Sequence, residues 1–338
     1  MAAWSVVSAL HATITGFIGL LLLRFLLGLA EPGGWTGAVK CIGERFDPVQ
    51  RGTASGILTA GATVATLLTP PLAVLGALHY GWRWAFLFSG GLGLLWLPLW
   101  WLATKSNGMK PVSIRSTSIT VWATLSSPQA IGYALARFFG DSSGYFFLFW
   151  VVDYLVAAKS FSFMMVGRLG WIPFLCSAIG SVVGGSASSF LVRTGRPPLW
   201  SRKVVMTVAP LFVVAGLLAV QSTNAPFVLA VLGISAFGTG LWAGNLHALA
   251  VDSFSPASLG GLYGLAGAAG AVGGVFYNAL VAYWRAQGRD VEIFLTLSLL
   301  QPLGVLCLWL LVRSPQAASE FAMKSSHTKP PSPDGCLR

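Results

Sequence analysis

Charged residues are scarce in this sequence. They make up only 9% of the 338 residues, whereas hydrophobic residues make up 55%, and the mean hydropathy is +0.73. This composition excludes an ordinary soluble domain, because it cannot supply a polar surface. Apolar runs of about 20 residues recur along the whole chain, which is the length a helix needs to cross a bilayer. The sequence therefore predicts an all-α membrane protein.

Motifs for metal binding and catalysis are also missing. The 4 cysteines have no metal-ligand spacing, and the 4 histidines are scattered along the chain without an HExxH-type motif. No arrangement of residues suggests a nucleophile or a phosphate-binding loop. We therefore expect neither an enzyme nor a bound metal or cofactor.

The net charge of +11 is distributed unevenly between alternate loops. Lysine and arginine favour the cytoplasmic loops of membrane proteins. The richer set is therefore predicted to be cytoplasmic, together with the C-terminus, in a multi-pass protein of the plasma (inner) membrane. The excess charge indicates topology and not a nucleic-acid surface. The richer side holds Arg45, Arg51, Lys105, Lys110, Arg115, Arg193, Arg196, Arg202, Lys203, Arg313, Lys324, Lys329 and Arg338, and the other holds Arg83, Lys159, Arg168, Arg285 and Arg289.

The apolar runs predict about ten membrane helices in groups of four and six. Their expected ranges are 2–15, 17–43, 52–78, 82–103, 130–156, 166–192, 203–221, 225–251, 258–284 and 290–312. The polar segment between the groups is expected to be a cytoplasmic linker, and the Ser- and Pro-rich end a disordered tail. The predicted units are an N-terminal bundle 1–104, the linker 105–128, a six-helix bundle 129–313 and the tail 314–338.

An internal repeat relates the two groups. Glu44-x-Phe46 and Asp252-x-Phe254 share a constant offset, since 252 − 44 = 208 and 254 − 46 = 208. Parallel repeats of this kind are typical of transporters that hold their substrate between two halves. The same offset maps two helices of the second group to positions before residue 1. We therefore expect an incomplete first bundle that lacks two helices.

Several segments resemble one transporter family. They are RFLLGLAEPGGWTGAVKCIGERFDPVQRGTASGI, LHYGWRWAFLFSGGLGLLWLPLW, ARFFGDSSGYFFLFWVVDYLV and WAGNLHALAVDSFSPASLGGLYGLAGAAGAVGG. These are similar to the fourth, sixth, seventh and tenth-to-eleventh helices of the major facilitator superfamily. Within it they resemble the anion:cation symporter family, most closely its hexuronate-transporter branch, with helices one and two lacking.

The resemblance implies a two-bundle transporter fold and proton-coupled symport of an organic anion, a hexuronate or related sugar acid. The partners would be that small anion, protons and the lipid bilayer, with the protein acting as a monomer. Two alternatives remain open. One is a truncated membrane protein that does not transport, and the other is a major facilitator for drugs or other metabolites.

Two charged residues interrupt the apolar run of the second predicted helix. Arg24 and Glu31 are seven residues apart, hence on one helical face and about 10 Å apart along the axis. A charge inside a membrane helix is a functional candidate, although it can also compensate a charge on a neighbouring helix. The resemblance implies that Arg24 binds the substrate carboxylate and that Glu31 couples transport to protons. Pro32 is expected to kink the helix.

The seventh-type helix carries Arg137, Asp141 and Tyr145 at successive i+4 steps. We expect the first two to neutralise each other. Tyr145 is expected to contact sugar hydroxyls in the cavity. Three threonines, Thr59, Thr63 and Thr66, either line this cavity or bond to their own helix.

The remaining candidates are distributed over both groups of helices. Trp242 and Asn245, at i+3, form either a sugar-binding face or, alternatively, an interfacial tryptophan and a helix-packing asparagine. The resemblance implies a substrate contact for Asn278. Glu44 and Asp252 are related by the repeat and are expected to form a cytoplasmic gate with nearby basic groups. The histidines His11 and His247 are expected to be packing residues.

Overall fold

The computed structural model describes residues 1–106, 125–255 and 258–313, and these residues form helices and connecting turns without a β-strand. Most of the predicted linker and the whole predicted tail lie outside the described residues. The helices are α1 Ala2–Leu10, α2 Phe17–Ala30, α3 Pro32–Arg45, α4 Pro48–Tyr80, α5 Arg83–Ser106, α6 Pro128–Gly140, α7 Ser142–Phe149, α8 Phe163–Leu169, α9 Ile172–Arg193, α10 Pro198–Val213, α11 Ala225–Ser253, α12 Leu259–Ala286 and α13 Asp290–Leu311.

Within the described ranges, 8 helical segments are long and apolar enough to cross a membrane. The other two of the ten predicted helices correspond to α1 and to the segment that begins with α6. α1 has 9 residues and is followed by a 3-10 turn, His11–Thr13. Its length of about 14 Å is half the thickness of a bilayer core.

The expectation of one continuous helix over 130–156 is wrong. This segment consists of α6, α7, a short turn Val151–Asp153 and a π-helical turn Tyr154–Ala158. At the first break, the hydroxyl of Ser142 donates to the carbonyl of Phe139 at 2.6 Å. A side chain that bonds to the backbone in this way competes with the regular ladder of the helix.

The helix is interrupted for one residue before Pro32, where the sequence predicts a kink. Helix α2 ends at Ala30, α3 begins at Pro32, and Glu31 lies at the junction. Proline has no backbone N–H and its ring displaces the preceding turn, so a regular helix is interrupted here. Glu31 itself keeps helical angles, φ −70° and ψ −41°, so its carboxylate lies at a one-residue gap between α2 and α3.

The repeat is visible in the backbone of the two equivalent turns. Phe46 and Phe254 both end a helix in an extended conformation, with φ −112° and ψ 135° for the first and φ −127° and ψ 152° for the second. Their N–H groups donate to the carbonyls of Ile42 and Ala250, which are themselves 208 residues apart. Both turns therefore close the preceding helix in the same way.

The two halves meet closely along α4, α9 and α11. A Cβ atom at Gly52 would lie 2.5 Å from the carbonyl oxygen of Gly185, so only glycine permits this approach. The hydroxyl of Ser181 donates across the same seam to the carbonyl of Gly56 at 3.2 Å. Small residues allow helix backbones to approach in this manner inside a membrane.

Side-chain contacts group the helix ends into two sets. At one end Lys203 bonds to the carbonyl of Val312, and Gln129 bonds to the carbonyl of Arg313 at 3.0 Å. We call this the basic end; it carries Arg45, Arg51, Arg193, Arg202 and Arg313. At the opposite end, Arg285 pairs with Asp153 and Asp290.

Candidate functional site

A cavity of about 360 Å³ lies between the two halves of the chain. One wall comes from α4, and the other walls come from α9, α11 and the segment around α7. Pro173 and Phe174 in the first turn of α9 border it, so the cavity extends toward the opposite end. Its polar lining residues are Thr59, Thr63, Thr66, Asp141, Tyr145, Ser177 and Thr239.

The threonines of α4 form the polar face of the first wall. The hydroxyls of Thr59, Thr63 and Thr66 donate to the carbonyls four residues earlier, at 2.9, 3.0 and 3.1 Å. The three threonines therefore line the cavity and also bond to their own helix, so both interpretations of the sequence apply. Since each hydroxyl donates to its own helix, its oxygen remains in the cavity wall as an acceptor.

Tyr145 lies on the facing wall, as the sequence predicts. Its ring packs against Gly274 of α12 and stacks on Phe149 at a centroid distance of 6.1 Å. The side chain is partly buried. These two contacts hold the ring in one direction. Because Tyr145 also lines the cavity, its phenol group is available to a polar solute.

Asp141 joins three elements at the cavity wall. Its Oδ2 accepts from Nε of Arg137 at 2.9 Å, which confirms the expected i+4 pair. Its Oδ1 accepts from Nε1 of Trp242 at 3.2 Å. No sequence pattern indicates this second contact, because the two residues are 101 positions apart. The carboxylate therefore ties α11 to the broken seventh segment.

Trp242 is not at a membrane interface, which was one of the two sequence interpretations. It is only 1% exposed and packs against Gly140 and Gly304. Asn245 is fully buried behind the cavity, where its Nδ2 donates to the carbonyl of Leu241 at 3.0 Å. Neither residue belongs to the cavity lining, so any contact with a solute would require rearrangement.

Asn278 is also outside the cavity lining. Its Oδ1 accepts from Nε1 of Trp150 at 2.7 Å. This bond links α12 to the turn that follows α7. In the described conformation the amide oxygen of Asn278 therefore already accepts a hydrogen bond from another segment of the protein.

Arg24 and Glu31 are both exposed, and neither belongs to the cavity lining. No residue of α2 is buried, and its main contacts are with α1 and α3. Within the described ranges, neither charged side chain forms a hydrogen bond or ion pair. The polar face that the sequence predicts is therefore exposed, and it is not part of the cavity that Tyr145 lines.

An ion cluster joins the halves at the basic end. Asp252 accepts from Arg51 of α4 at 2.8 Å and from Arg202 of α10 at 3.2 Å. The Asp252 side chain is 2% exposed and that of Arg202 is fully buried. Arg202 also donates to the hydroxyl of Ser188 at 2.7 Å and to the carbonyl of Pro48 at 2.6 Å.

Among the described residues, the repeat-related Glu44 forms no such contact between halves. It faces Lys40 one turn earlier on the same helix, at 3.8 Å. The two members of the expected gate are therefore unequal. The cluster of Arg51, Asp252 and Arg202 connects the halves, whereas Glu44 lies on one helix.

Both histidines named from the sequence are packed. His11 is 1% exposed and stacks on Phe86 at 5.2 Å. His247 is 4% exposed, bonds to the Tyr263 hydroxyl at 2.9 Å and meets Trp35 edge-on at 4.9 Å. No group of described residues could hold a metal ion.

The sequence was compared with protein families and with known proteins. The Major Facilitator Superfamily model matches residues 1–278. A probable galactarate/D-glucarate transporter GudP of Bacillus subtilis (strain 168) is 26% identical over 291 residues, which cover 77% of this chain and 63% of that protein. A D-galactonate transporter of Escherichia coli O6:H1 is 26% identical over 84% of this chain and 72% of its own length. The hexuronate transporter of Escherichia coli (strain K12) is 23% identical over 97% of this chain and 80% of its own length.

The chain thus spans less than two thirds of the GudP protein. Solved structures with a similar fold include the human organic anion transporter MFSD10 (TETRAN), with a TM-score of 0.63, 18% identity and coverage of 90% of this chain and 74% of that one. A bacterial homologue of the iron transporter ferroportin in an outward-facing state gives a TM-score of 0.68, with 14% identity and coverage of 90% and 78%. At these identities the likeness concerns the fold alone.

Proposed function

Because the chain belongs to the Major Facilitator Superfamily, a family of transporters and not of enzymes, we propose that it moves an organic anion across a membrane together with protons. The proposed substrate is a hexuronate or a related sugar acid. The observation that carries this proposal is the hydroxyl-lined cavity between the halves, which the ion cluster joins at the basic end. The names of the sugar-acid transporters to which the chain is similar support the same substrate class.

The cavity chemistry suits a polyhydroxylated solute. Threonine oxygens on α4 accept hydrogen bonds, and the Tyr145 phenol across the cavity both donates and accepts. The polar residues on the two walls belong to different halves of the chain. A bound sugar would therefore connect the halves, which is what a transporter with its substrate between two repeats requires.

The carboxylate of the substrate needs a cationic partner. We assign this role to Arg24, whose guanidinium has no partner within the described residues and can hold a carboxylate through two parallel hydrogen bonds. Substrate contacts remain proposed for Trp242, Asn245 and Asn278 after a rearrangement. Trp242 would leave Asp141, and Asn278 would leave Trp150.

Proton coupling is assigned to Glu31. The carboxylate lies beside Pro32 at the break between α2 and α3, on the same half as Arg24. A change in its protonation alters the charge of a membrane segment at a point where the helix is already interrupted. We propose that the basic end is cytoplasmic, and that separation of the Arg51–Asp252 pair accompanies opening to that side.

A competition experiment tests the substrate class. The full chain is reconstituted in vesicles and supplied with labelled glucuronate, and unlabelled galactonate, glucarate and neutral glucose are added in turn. We expect galactonate and glucarate both to compete, to different extents, and neutral glucose not to compete. Uptake that is absent, or that is blocked by unrelated organic cations instead, would contradict the proposed substrate class.

A further inference from the structure

A second concave surface lies on the outside of the helix seam at the basic end. It has a volume of about 560 Å³ and runs between α3 and α4 beside the last residue of α9. We call it the lateral groove. Its walls include Ile42 and Phe46 of α3 and Ile57 and Leu58 of α4, and Arg193 is the charged residue among the described residues that line it. Phe46 is 39% exposed and Ile57 is 58% exposed, as expected of side chains that face lipid.

Polarity changes along the length of the lateral groove. Gln50 is in the first turn of α4 and Arg193 is the last residue of α9, so both lie at the basic end. Ile57 lies nine residues beyond Pro48, which is about 14 Å farther along the helix axis. The polar lining residues Gln50, Thr53 and Arg193 therefore lie in the half of the groove nearest the basic end, which is its mouth, beside Phe46 and Val49. The wall beyond them is apolar, and the whole length is about the thickness of one hydrocarbon leaflet.

The cation at the mouth is available for an anion. Arg193 is exposed, and its side chain has no hydrogen-bond or ion-pair partner among the described residues. The neighbouring Arg196 differs, because its guanidinium lies over the Trp200 ring at 5.5 Å and does not line the groove. Basic pockets between helices on the cytoplasmic side bind anionic lipid headgroups.

We propose that the lateral groove binds an anionic phospholipid. The headgroup phosphate lies against Arg193 and Gln50, and one acyl chain follows the apolar wall toward Ile57. The occupant is a lipid and not a free anion, because most of the lining is hydrocarbon and only the mouth is polar. The lipid would bridge α3 and α4 of the first half to α9 of the second half. This site is separate from the cavity and does not depend on the identity of the transported solute.

Retention of lipid by the purified full chain tests this proposal. The protein is purified in detergent with equal amounts of phosphatidylglycerol and phosphatidylethanolamine, and bound lipid is measured by native mass spectrometry. We expect phosphatidylglycerol to be retained preferentially. Arg193→Gln should reduce this preference about fivefold, which corresponds to about 1 kcal/mol for one basic residue at an anionic surface.

Two further variants separate the groove from general electrostatics. Arg196→Gln removes the same charge three residues away and should change the preference for phosphatidylglycerol by less than about twofold, because the Arg196 side chain does not line the groove. Ala54→Phe fills the apolar part and should reduce retention of both lipids while leaving Arg193 in place. Equal losses for the two arginine variants, unchanged retention in Arg193→Gln, or unchanged retention in Ala54→Phe would each overturn the proposal. Inorganic phosphate that displaces the lipid at millimolar concentration would also overturn it, because the site would then bind a free anion.

Discussion

Replacement of Asp252 by asparagine should shift the chain away from the conformation that is closed at the basic end. The substitution keeps the shape of the side chain but removes the carboxylate that accepts from Arg51 and Arg202. Arg202 is fully buried, and removing one partner of a buried ion pair costs about 3–5 kcal/mol. Arg202 keeps its bonds to Ser188 and Pro48, so we take the lower value.

Part of this cost falls only on the closed conformation, because the Arg51–Asp252 bond joins the two halves. The Arg51–Asp252 bond is the part that is lost on opening, and a hydrogen bond between charged groups contributes about 1.5–3 kcal/mol. Removing it should therefore shift the equilibrium about 10- to 100-fold toward the conformation open at the basic end. Spin labels at two exposed positions, Arg45 of the first half and Arg196 of the second, report the separation by pulsed electron resonance. We expect a longer distance to become the main population in Asp252→Asn.

Glu44→Gln is the matched control for this prediction. It makes the same chemical change at the repeat-related position, where the carboxylate faces only Lys40 at 3.8 Å on a partly exposed helix surface. An exposed pair of this kind contributes about 0–1 kcal/mol, so the distance distribution should stay near that of the unmodified chain. The reasoning is refuted if Asp252→Asn leaves the distribution unchanged or if both substitutions shift it equally.

Three further substitutions test the seam and the cavity. Gly56→Leu places side-chain atoms into the α9 backbone and should lower the free energy of unfolding by about 1–3 kcal/mol in a thermal unfolding assay. Gly61→Leu is the control and should not lower it, because Gly61 has open space beside it. Trp242→Phe removes the hydrogen bond to one Asp141 oxygen and should lower the free energy of unfolding by about 1.5–3 kcal/mol in the same assay. An unchanged melting temperature would argue against the bond. Tyr145→Phe should weaken sugar-acid binding by about 1 kcal/mol without lowering stability, as checked by calorimetric titration, and unaltered affinity would remove Tyr145 from the binding site.

Hydropathy and the repeat were sufficient to predict the architecture. The apolar runs locate the long helices, and the offset of 208 identifies the two turns at Phe46 and Phe254 that close in the same way. Pro32 correctly indicates an interrupted helix because its effect is local to the backbone. The breaks after Gly140 were missed, since they depend on how serine hydroxyls and the buried Trp242 meet the backbone in three dimensions.

The site was harder to predict than the fold. Tyr145 faces the cavity because helical spacing and a small neighbour, Gly274, determine its direction. The second partner of Asp141, Trp242, could not be foreseen, because sequence spacing carries no information about contacts between distant helices. The same limit explains the gate. The repeat predicts equal roles for Glu44 and Asp252, but only Asp252 meets cations from both halves.

Proton-driven accumulation tests the central claim most directly. Labelled glucuronate uptake is measured in vesicles that contain the full chain, with and without an inward proton gradient, for the unmodified protein and for Glu31→Gln. The account predicts that the gradient concentrates substrate in the unmodified protein. It also predicts that Glu31→Gln abolishes concentration but retains exchange of labelled for unlabelled substrate, because the amide mimics the protonated carboxyl. Absence of gradient-driven uptake in the unmodified protein, or undiminished concentration by Glu31→Gln, would contradict the account.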